Sequence, residues 1–175
     1  MNTQLPRDPQ EKTDQKALTE FPAQAAYKST ATRFYWIAGL SLVNSLIAMF
    51  GGSLYFPVGL GITQVVDVFA SVFGDEMPEA RMVFLAISLV INVGICGLIV
   101  LFGYLISRGN DWPLITGMVL YALDAVLMLF FQDWIGAGFH AYFLFLIWSG
   151  YSAIRQWKKS RPQGQDSFPQ NIGAS

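Results

Sequence analysis

Two ionisable residues stand inside long apolar stretches of this 175-residue chain, Asp124 and His140. Both lie within residues 112–153, two apolar runs that meet at Gln132 and Asp133. Ionisable groups at membrane depth are costly and usually have a function or a strong structural reason. An Asp–His pair could transfer a proton or contact a ligand, and it could equally be a hydrogen-bonded clamp between two helices.

The spacing of the two residues predicts that they meet. Asp124 precedes Gln132 by eight residues, about 12 Å along a helix, and His140 follows Trp134 by six, about 9 Å. The connection between the two runs is only a few residues long, so the helices must be antiparallel neighbours. We therefore expect Asp124 and His140 to face each other at similar depth.

The composition indicates an integral membrane protein. Hydrophobic residues make up 53% of the chain and charged residues only 13%, about half the charged fraction of a soluble domain. The net charge of -1, without a dense basic patch, gives no reason to expect a nucleic-acid partner. Cys96 is the only cysteine and His140 the only histidine. An intrachain disulfide, a thiolate zinc site and a bis-histidine haem are thereby excluded, and we expect no cofactor and no metal.

Four long apolar runs predict an all-α fold with four transmembrane helices in an antiparallel bundle. We place them at about 33–54, 81–107, 112–131 and 134–155, because a span needs roughly 20 apolar residues. Their ends carry the aromatic side chains that favour the headgroup region. Residues 31–156 form this transmembrane domain, and the polar segments 1–30 and 157–175 are expected to be mostly disordered cytoplasmic tails. Within the first tail, residues 16–27 could instead form a helix on the membrane surface.

Basic residues set the predicted orientation, because short loops rich in Lys and Arg stay in the cytoplasm. They precede the first span, lie between the second and third, and follow the fourth: Lys28, Arg33, Arg108, Arg155, Lys158, Lys159 and Arg161. We therefore expect both termini in the cytoplasm and a multi-pass location in a bacterial-type inner (plasma) membrane.

The segment between the first two spans, about 58–74, predicts an amphipathic helix. The run from Pro57 to Gly61 ends the first helix, and Gln64 and Asp67 then share a polar face opposite apolar residues. A fifth span would move the basic C-terminal tail outside, against the charge rule. We expect an interfacial or re-entrant helix whose polar face, including Gln64 and Asp67, is solvated.

Each predicted span carries one stripe of small or polar residues at helical spacing, which we expect to face the bundle interior. The stripes are Ser41, Asn44, Ala48 and Gly51; Ser88, Asn92, Cys96 and Gly103; Gly117, Tyr121 and Asp124; and Gly136, Ala137, His140 and Ala141. From these we select one candidate intramembrane polar site: Asp124, His140, Asn92, Asn44 and Tyr121. The two asparagines are interpreted as packing residues, with ligand contact as the alternative.

Three functions fit this sequence, and no catalytic residue is assigned. The favoured hypothesis is a non-enzymatic structural or accessory protein in the lipid bilayer, which assembles with itself or with a larger membrane complex. The second is a small transporter or channel-like protein with Asp124 and His140 on a polar path. The third is an enzyme acting on a lipid or quinone, with the same pair as acid and base. A path predicts that the pair contacts water, and a clamp predicts a dry pair.

Overall fold

The computed structural model describes residues 9–52 and 56–160, with side chains described for 23–52 and 56–160, and this part of the chain is helical without strands. It forms α1 (Pro9–Met49), α2 (Gly61–Glu76), α3 (Arg81–Ser107), α4 (Trp112–Phe130) and α5 (Trp134–Ser160). One turn of 3-10 helix, Pro78–Ala80, joins α2 to α3.

Helices α3 to α5 follow the predicted segments closely. α3 coincides with 81–107, α4 ends one residue before the predicted 131, and α5 extends to Ser160. Pro113 lies in the first turn of α4, where its missing N–H leaves no hydrogen bond unmade. Between α4 and α5, Gln132 has a φ of 61° and Asp133 accepts a hydrogen bond from the Gly136 N–H at 2.8 Å. This tight, capped turn makes α4 and α5 antiparallel neighbours.

Two segments of the described chain are long and apolar enough to cross a membrane. They are Pro78–Ser107, with a mean hydropathy of 2.7, and Trp112–Phe130, with 1.9. Only 22% and 33% of their most apolar stretches are buried, so most of their apolar side chains face outward. The wider expectation of four membrane helices stays a prediction.

The beginning of α1 differs from the sequence-based expectation, because the helix begins at Pro9 and runs for 41 residues. Ala23, Tyr27 and Ala31 are at most 2% exposed, so the prediction of a mostly disordered segment 1–30 is wrong for this region. These residues recur every four positions and pack against the bundle, and that burial outweighs the polar composition between them. Residues 16–27 are continuous with α1. Residues 1–8 and 161–175 lie outside the described part, and the tails predicted there stay predictions.

The inward stripes predicted for the bundle are largely buried. Every member on α3 and α4 is buried, as are Ser41 and Asn44 on α1 and Gly136, Ala137 and His140 on α5. Three members, Ala48, Gly51 and Ala141, are exposed instead. Ala48 and Gly51 lie on either side of Met49, the last residue of α1, and Ala141 lies where the α5 surface turns outward.

The chain after α1 folds back into the bundle through residues 56–60, here called the return loop. Its Phe56 exchanges two hydrogen bonds with the Asn44 side chain, both at 2.8 Å. Its Leu60 N–H donates to Ser41 Oγ at 2.7 Å, nearly one helical turn further down α1. Gly59 is required there, since a Cβ atom would lie 2.6 Å from Asn44 Nδ2. After Leu60 the chain enters α2, which runs antiparallel to α3.

Candidate functional site

The Asp124 carboxylate caps the N-terminus of α2. Its Oδ2 accepts a hydrogen bond from the Gly61 N–H at 2.7 Å, and its Oδ1 accepts one from the Ile62 N–H at 2.9 Å. Leu60, which precedes the helix, supplies no side-chain cap. The first amides of a helix lack internal partners and carry a partial positive charge. A carboxylate from α4 therefore completes a helix that its own sequence leaves uncapped.

His140 is the second partner of this carboxylate, and its position matches the depth predicted from the sequence. Its Nε2 lies 2.8 Å from Asp124 Oδ2, and its Nδ1 lies 2.8 Å from the Gly136 carbonyl oxygen. A carbonyl oxygen can only accept, so Nδ1 carries a proton. One further proton is then shared between Nε2 and Oδ2.

Tyr121 covers the face of the imidazole. The two ring centroids are 4.4 Å apart and the planes are inclined by 18°, so the two rings are stacked. The phenol hydroxyl donates to the Val58 carbonyl oxygen at 3.2 Å. Tyr121 thus connects the Asp124–His140 pair to the return loop.

Burial seals this cluster. His140 is 0% exposed, Tyr121 3% and Asp124 7%. Both carboxylate oxygens and both imidazole nitrogens are used in hydrogen bonds within the protein. The structure therefore brings three of the five predicted site residues into one closed arrangement, and its centre is the start of α2.

Asn92 belongs to a second network, which joins α1, α2 and α3. Its Nδ2 lies 2.8 Å from Ser45 Oγ on α1 and 2.8 Å from Asp67 Oδ1 on α2. The Ser88 hydroxyl donates to the same carboxylate oxygen of Asp67. Asn92 therefore ties three helices together, whereas Asn44 holds the return loop and does not touch Asp124.

The interpretation of Gln64 and Asp67 as a solvated face is wrong. Both residues are half-buried, and the polar side of α2 faces α1 and α3. The outward side of α2 is apolar and exposed: Ile62, Val68, Phe69, Val72 and Phe73. The polar side of α2 faces the bundle and not solvent, because Ser88 and Asn92 of α3 donate hydrogen bonds to it.

A cavity of about 370 Å³ lies between α1, α2 and α3, and we call it the polar cavity. Its polar lining includes Asn44, Ser45, Gln64, Asp67, Arg81 and Ser88. Arg81 donates to Asp75 at 2.8 Å, and its side chain is 50% exposed. Two side-chain atoms in or beside the cavity, Gln64 Nε2 and Asn92 Oδ1, are buried without a hydrogen-bond partner in the described part of the chain.

A third cluster holds the other end of the bundle together. The Tyr27 hydroxyl donates to Asp111 Oδ1 at 2.5 Å, and Lys158 forms an ion pair with the same carboxylate. Burial, together with the neighbouring Asp111, raises the pKa of the Tyr27 phenol above its ordinary value. Tyr27 and Asp111 are 84 residues apart and no local sequence pattern connects them, so their contact was not predicted.

Within the described residues, no group of three or more His, Cys, Asp or Glu side chains is placed to hold a metal ion. Comparison of the chain with protein-family models, with curated proteins and with solved structures found no match. Function must therefore be inferred from the two buried networks and the polar cavity.

Proposed function

We propose that this chain is an integral membrane protein with four membrane helices, formed by the second half of α1 and by α3, α4 and α5. Large apolar side chains point outward on all four, among them Trp36 (61% exposed), Val90 (72%), Leu123 (61%) and Ile135 (68%). Soluble monomers rarely expose apolar patches of this extent. Basic residues such as Arg108 and Lys158 lie at one end of the bundle, which favours both termini in the cytoplasm.

The return loop and α2 fit this location as a re-entrant hairpin in the outer half of the bilayer. Non-helical backbone is tolerated at membrane depth only where protein groups satisfy it. Side chains from α1 and α4 supply those groups, because Ser41, Asn44 and Asp124 accept from the loop and helix amides. The exposed side of α2 is apolar, including Phe69 at 58%, which suits contact with lipid.

Within the membrane, we propose a structural or accessory role in which Asp124 and His140 form a clamp. This proposal rests on the observation that the pair is buried and that all of its side-chain oxygen and nitrogen atoms have hydrogen-bond partners inside the protein. An acid–base catalyst needs a position within hydrogen-bond reach of its substrate, and a proton path needs contact with water. His140 is 0% exposed and both of its nitrogens are hydrogen-bonded inside the protein. The transporter-like and enzymatic alternatives, which give this pair the central role, are less well supported.

Assembly with a second copy or with a larger complex would use the outward helix faces. At Gly94 and Gly97 of α3, an added Cβ atom would meet nothing within 4 Å. Small residues at such positions let another helix approach closely, which is how membrane helices associate in the absence of a hydrophobic driving force.

The clamp is tested by difference infrared spectroscopy of the purified protein, with Asp124→Asn as the control that identifies the Asp124 carboxyl bands. We expect the bands of the pair to stay unchanged when H₂O is replaced by D₂O, because a sealed pair does not exchange its protons with water without local opening. Bands that shift within minutes in D₂O and are absent in Asp124→Asn would contradict the clamp and favour a proton-coupled function.

Membrane location is tested separately, by washing membranes of a bacterial expression host with alkaline sodium carbonate. The protein should stay in the pellet. Its release into the supernatant would contradict the membrane proposal.

A further inference from the structure

We propose that the polar cavity between α1, α2 and α3 binds a primary ammonium group, carried either by a small amino alcohol or by a lipid headgroup. The cavity combines an anionic side chain, a buried hydrogen-bond donor without a partner, and apolar walls.

Asp67 gives the cavity a negative charge, and no described residue pairs with it as a cation. Its Oδ1 accepts hydrogen bonds from Ser88 and Asn92, both of which are neutral. The cation that also lines the cavity, Arg81, is paired with Asp75, and its side chain is 50% exposed. A half-buried carboxylate at the edge of a low-dielectric interior attracts a cation strongly. The ligand is therefore expected to carry a positive charge.

Gln64 indicates that the ligand also carries a hydrogen-bond acceptor. Its Nε2 is buried without a partner in the described part of the chain, and such a donor destabilises a protein unless something accepts from it. Gln64 precedes Asp67 by three residues, so the two lie about one helical turn apart, roughly 4.5 Å along the axis. Both residues line the cavity, so a ligand held by Asp67 lies on the side of α2 that carries the Gln64 side chain.

A bare metal ion fits the cavity less well. Calcium takes six to eight oxygen ligands and magnesium requires near-ideal octahedral geometry, whereas the cavity offers one carboxylate. A primary ammonium has three N–H donors, which suit the Asp67 carboxylate and neighbouring hydroxyl oxygens. The apolar side chains of Val68, Leu85 and Leu89 in the wall suit the carbon atoms of the ligand. A volume of about 370 Å³ accommodates an amino alcohol or one lipid headgroup.

The two sources of the ammonium group differ in whether they require the protein to lie in a membrane. A lipid source rests on the proposed membrane function, because the headgroup would enter amine first and leave its phosphate near Arg81. A free amino alcohol would reach the same cavity whether or not the protein lies in a membrane.

The test uses the full chain, purified in dodecyl maltoside, with two kinds of ligand. Ethanolamine hydrochloride is titrated by isothermal calorimetry, with choline, which has no N–H, as the negative control. Dioleoyl phosphatidylethanolamine and dioleoyl phosphatidylglycerol are compared for retention by native mass spectrometry. We expect binding of at least one ammonium probe and no specific retention of phosphatidylglycerol. Ethanolamine binding indicates a free amine as ligand, and retention of phosphatidylethanolamine alone indicates a lipid.

Asp67→Asn keeps the shape of the side chain and an oxygen for Ser88 and Asn92 but removes the charge. It should weaken binding about tenfold or more, as loss of a charge-assisted hydrogen bond does. Glu76→Gln removes a charge from the same helix at an exposed position outside the cavity lining and should leave binding within about twofold. Gln64→Met is a second variant, expected to weaken ethanolamine binding if Asp67→Asn does not fold.

Three results would overturn the proposed site: neither ammonium probe binds, phosphatidylglycerol or choline binds as well, or the folded cavity variants bind as tightly as the wild type. Ethanolamine binding by a protein that carbonate releases from membranes would refute the membrane location and leave the site intact.

Discussion

The Asp124 carboxylate makes three hydrogen bonds, with the Gly61 and Ile62 amides at the start of α2 and with His140 Nε2. Two substitutions of Asp124 remove different numbers of these bonds. In Asp124→Asn, the amide oxygen can still accept from the Ile62 N–H, and the new NH₂ can donate to His140 Nε2. Neutral His140 is compatible with this, since its Nδ1 proton is already directed at the Gly136 carbonyl. The NH₂ group would, however, face the Gly61 N–H, which in the wild type donates to Oδ2 at 2.7 Å. Two donors would then face each other, and the Gly61 N–H would have no acceptor. Asp124→Leu removes all three bonds.

The expected losses differ accordingly. Asp124→Asn leaves one buried N–H unpaired and should lower the free energy of unfolding by about 1–3 kcal/mol. Asp124→Leu leaves two amides and the imidazole Nε2 without partners. Breaking a buried charged pair on one side costs about 3–5 kcal/mol, and loss of a helix cap adds about 1 kcal/mol.

The assay is unfolding of the purified variants in dodecyl maltoside by added sodium dodecyl sulfate, followed by far-ultraviolet circular dichroism. Glu79→Gln, an exposed acid near the end of α2, is the matched control for charge removal and should unfold with the wild type. The order of stability should be wild type, Asn, then Leu. Equal midpoints for Asp124→Asn and Asp124→Leu would refute the assignment of Asp124 as the cap of α2.

Two further predictions follow from the return loop and from α1. Gly59→Ala should destabilise the protein by about 1–3 kcal/mol, because its Cβ would meet Asn44 Nδ2 at 2.6 Å. Gly39→Ala, inside α1, where an added Cβ meets nothing within 4 Å, should be neutral or slightly stabilising in the same unfolding assay. Tyr27 has a raised pKa in the folded state, so its contribution to stability is complete below about pH 10 and is lost as the pH rises further. Tyr27→Phe should lose about 1 kcal/mol at pH 7 and show a smaller decline in thermal stability above pH 10; an unchanged alkaline profile would contradict the role of the Asp111 contact.

The sequence was sufficient to predict the parts of this fold that depend on local patterns. Helices α3, α4 and α5 are marked by long apolar runs with turn residues between them. The meeting of Asp124 with His140 follows from counting residues on either side of a short connection. These inferences need only helical geometry and chain connectivity, so they did not require knowledge of the remaining structure.

The parts that the sequence did not reveal depend on contacts between distant segments. Asp124 binds the backbone amides of Gly61 and Ile62, and amides carry no residue-specific signal. Hydrophobic periodicity shows which side of a helix is polar, but it does not show whether that side contacts solvent or another helix. For this reason the polar side of α2 was predicted to be solvated. The early part of α1 was assigned to a tail because the polar residues between its buried positions dominate the composition.

The origin of the α2 cap in a later helix has a consequence for synthesis of the chain. Asp124 follows Gly61 by 63 residues, so at about 5–20 residues per second the ribosome needs roughly 3 to 13 s to deliver it. During this interval the first amides of α2 have no carboxylate partner, and His140 is later still. The hairpin between α1 and α3 therefore cannot reach its final structure in sequence order. It must wait for the α4–α5 pair, and a chain truncated before α4 would present an incomplete hairpin to the cell's quality-control machinery.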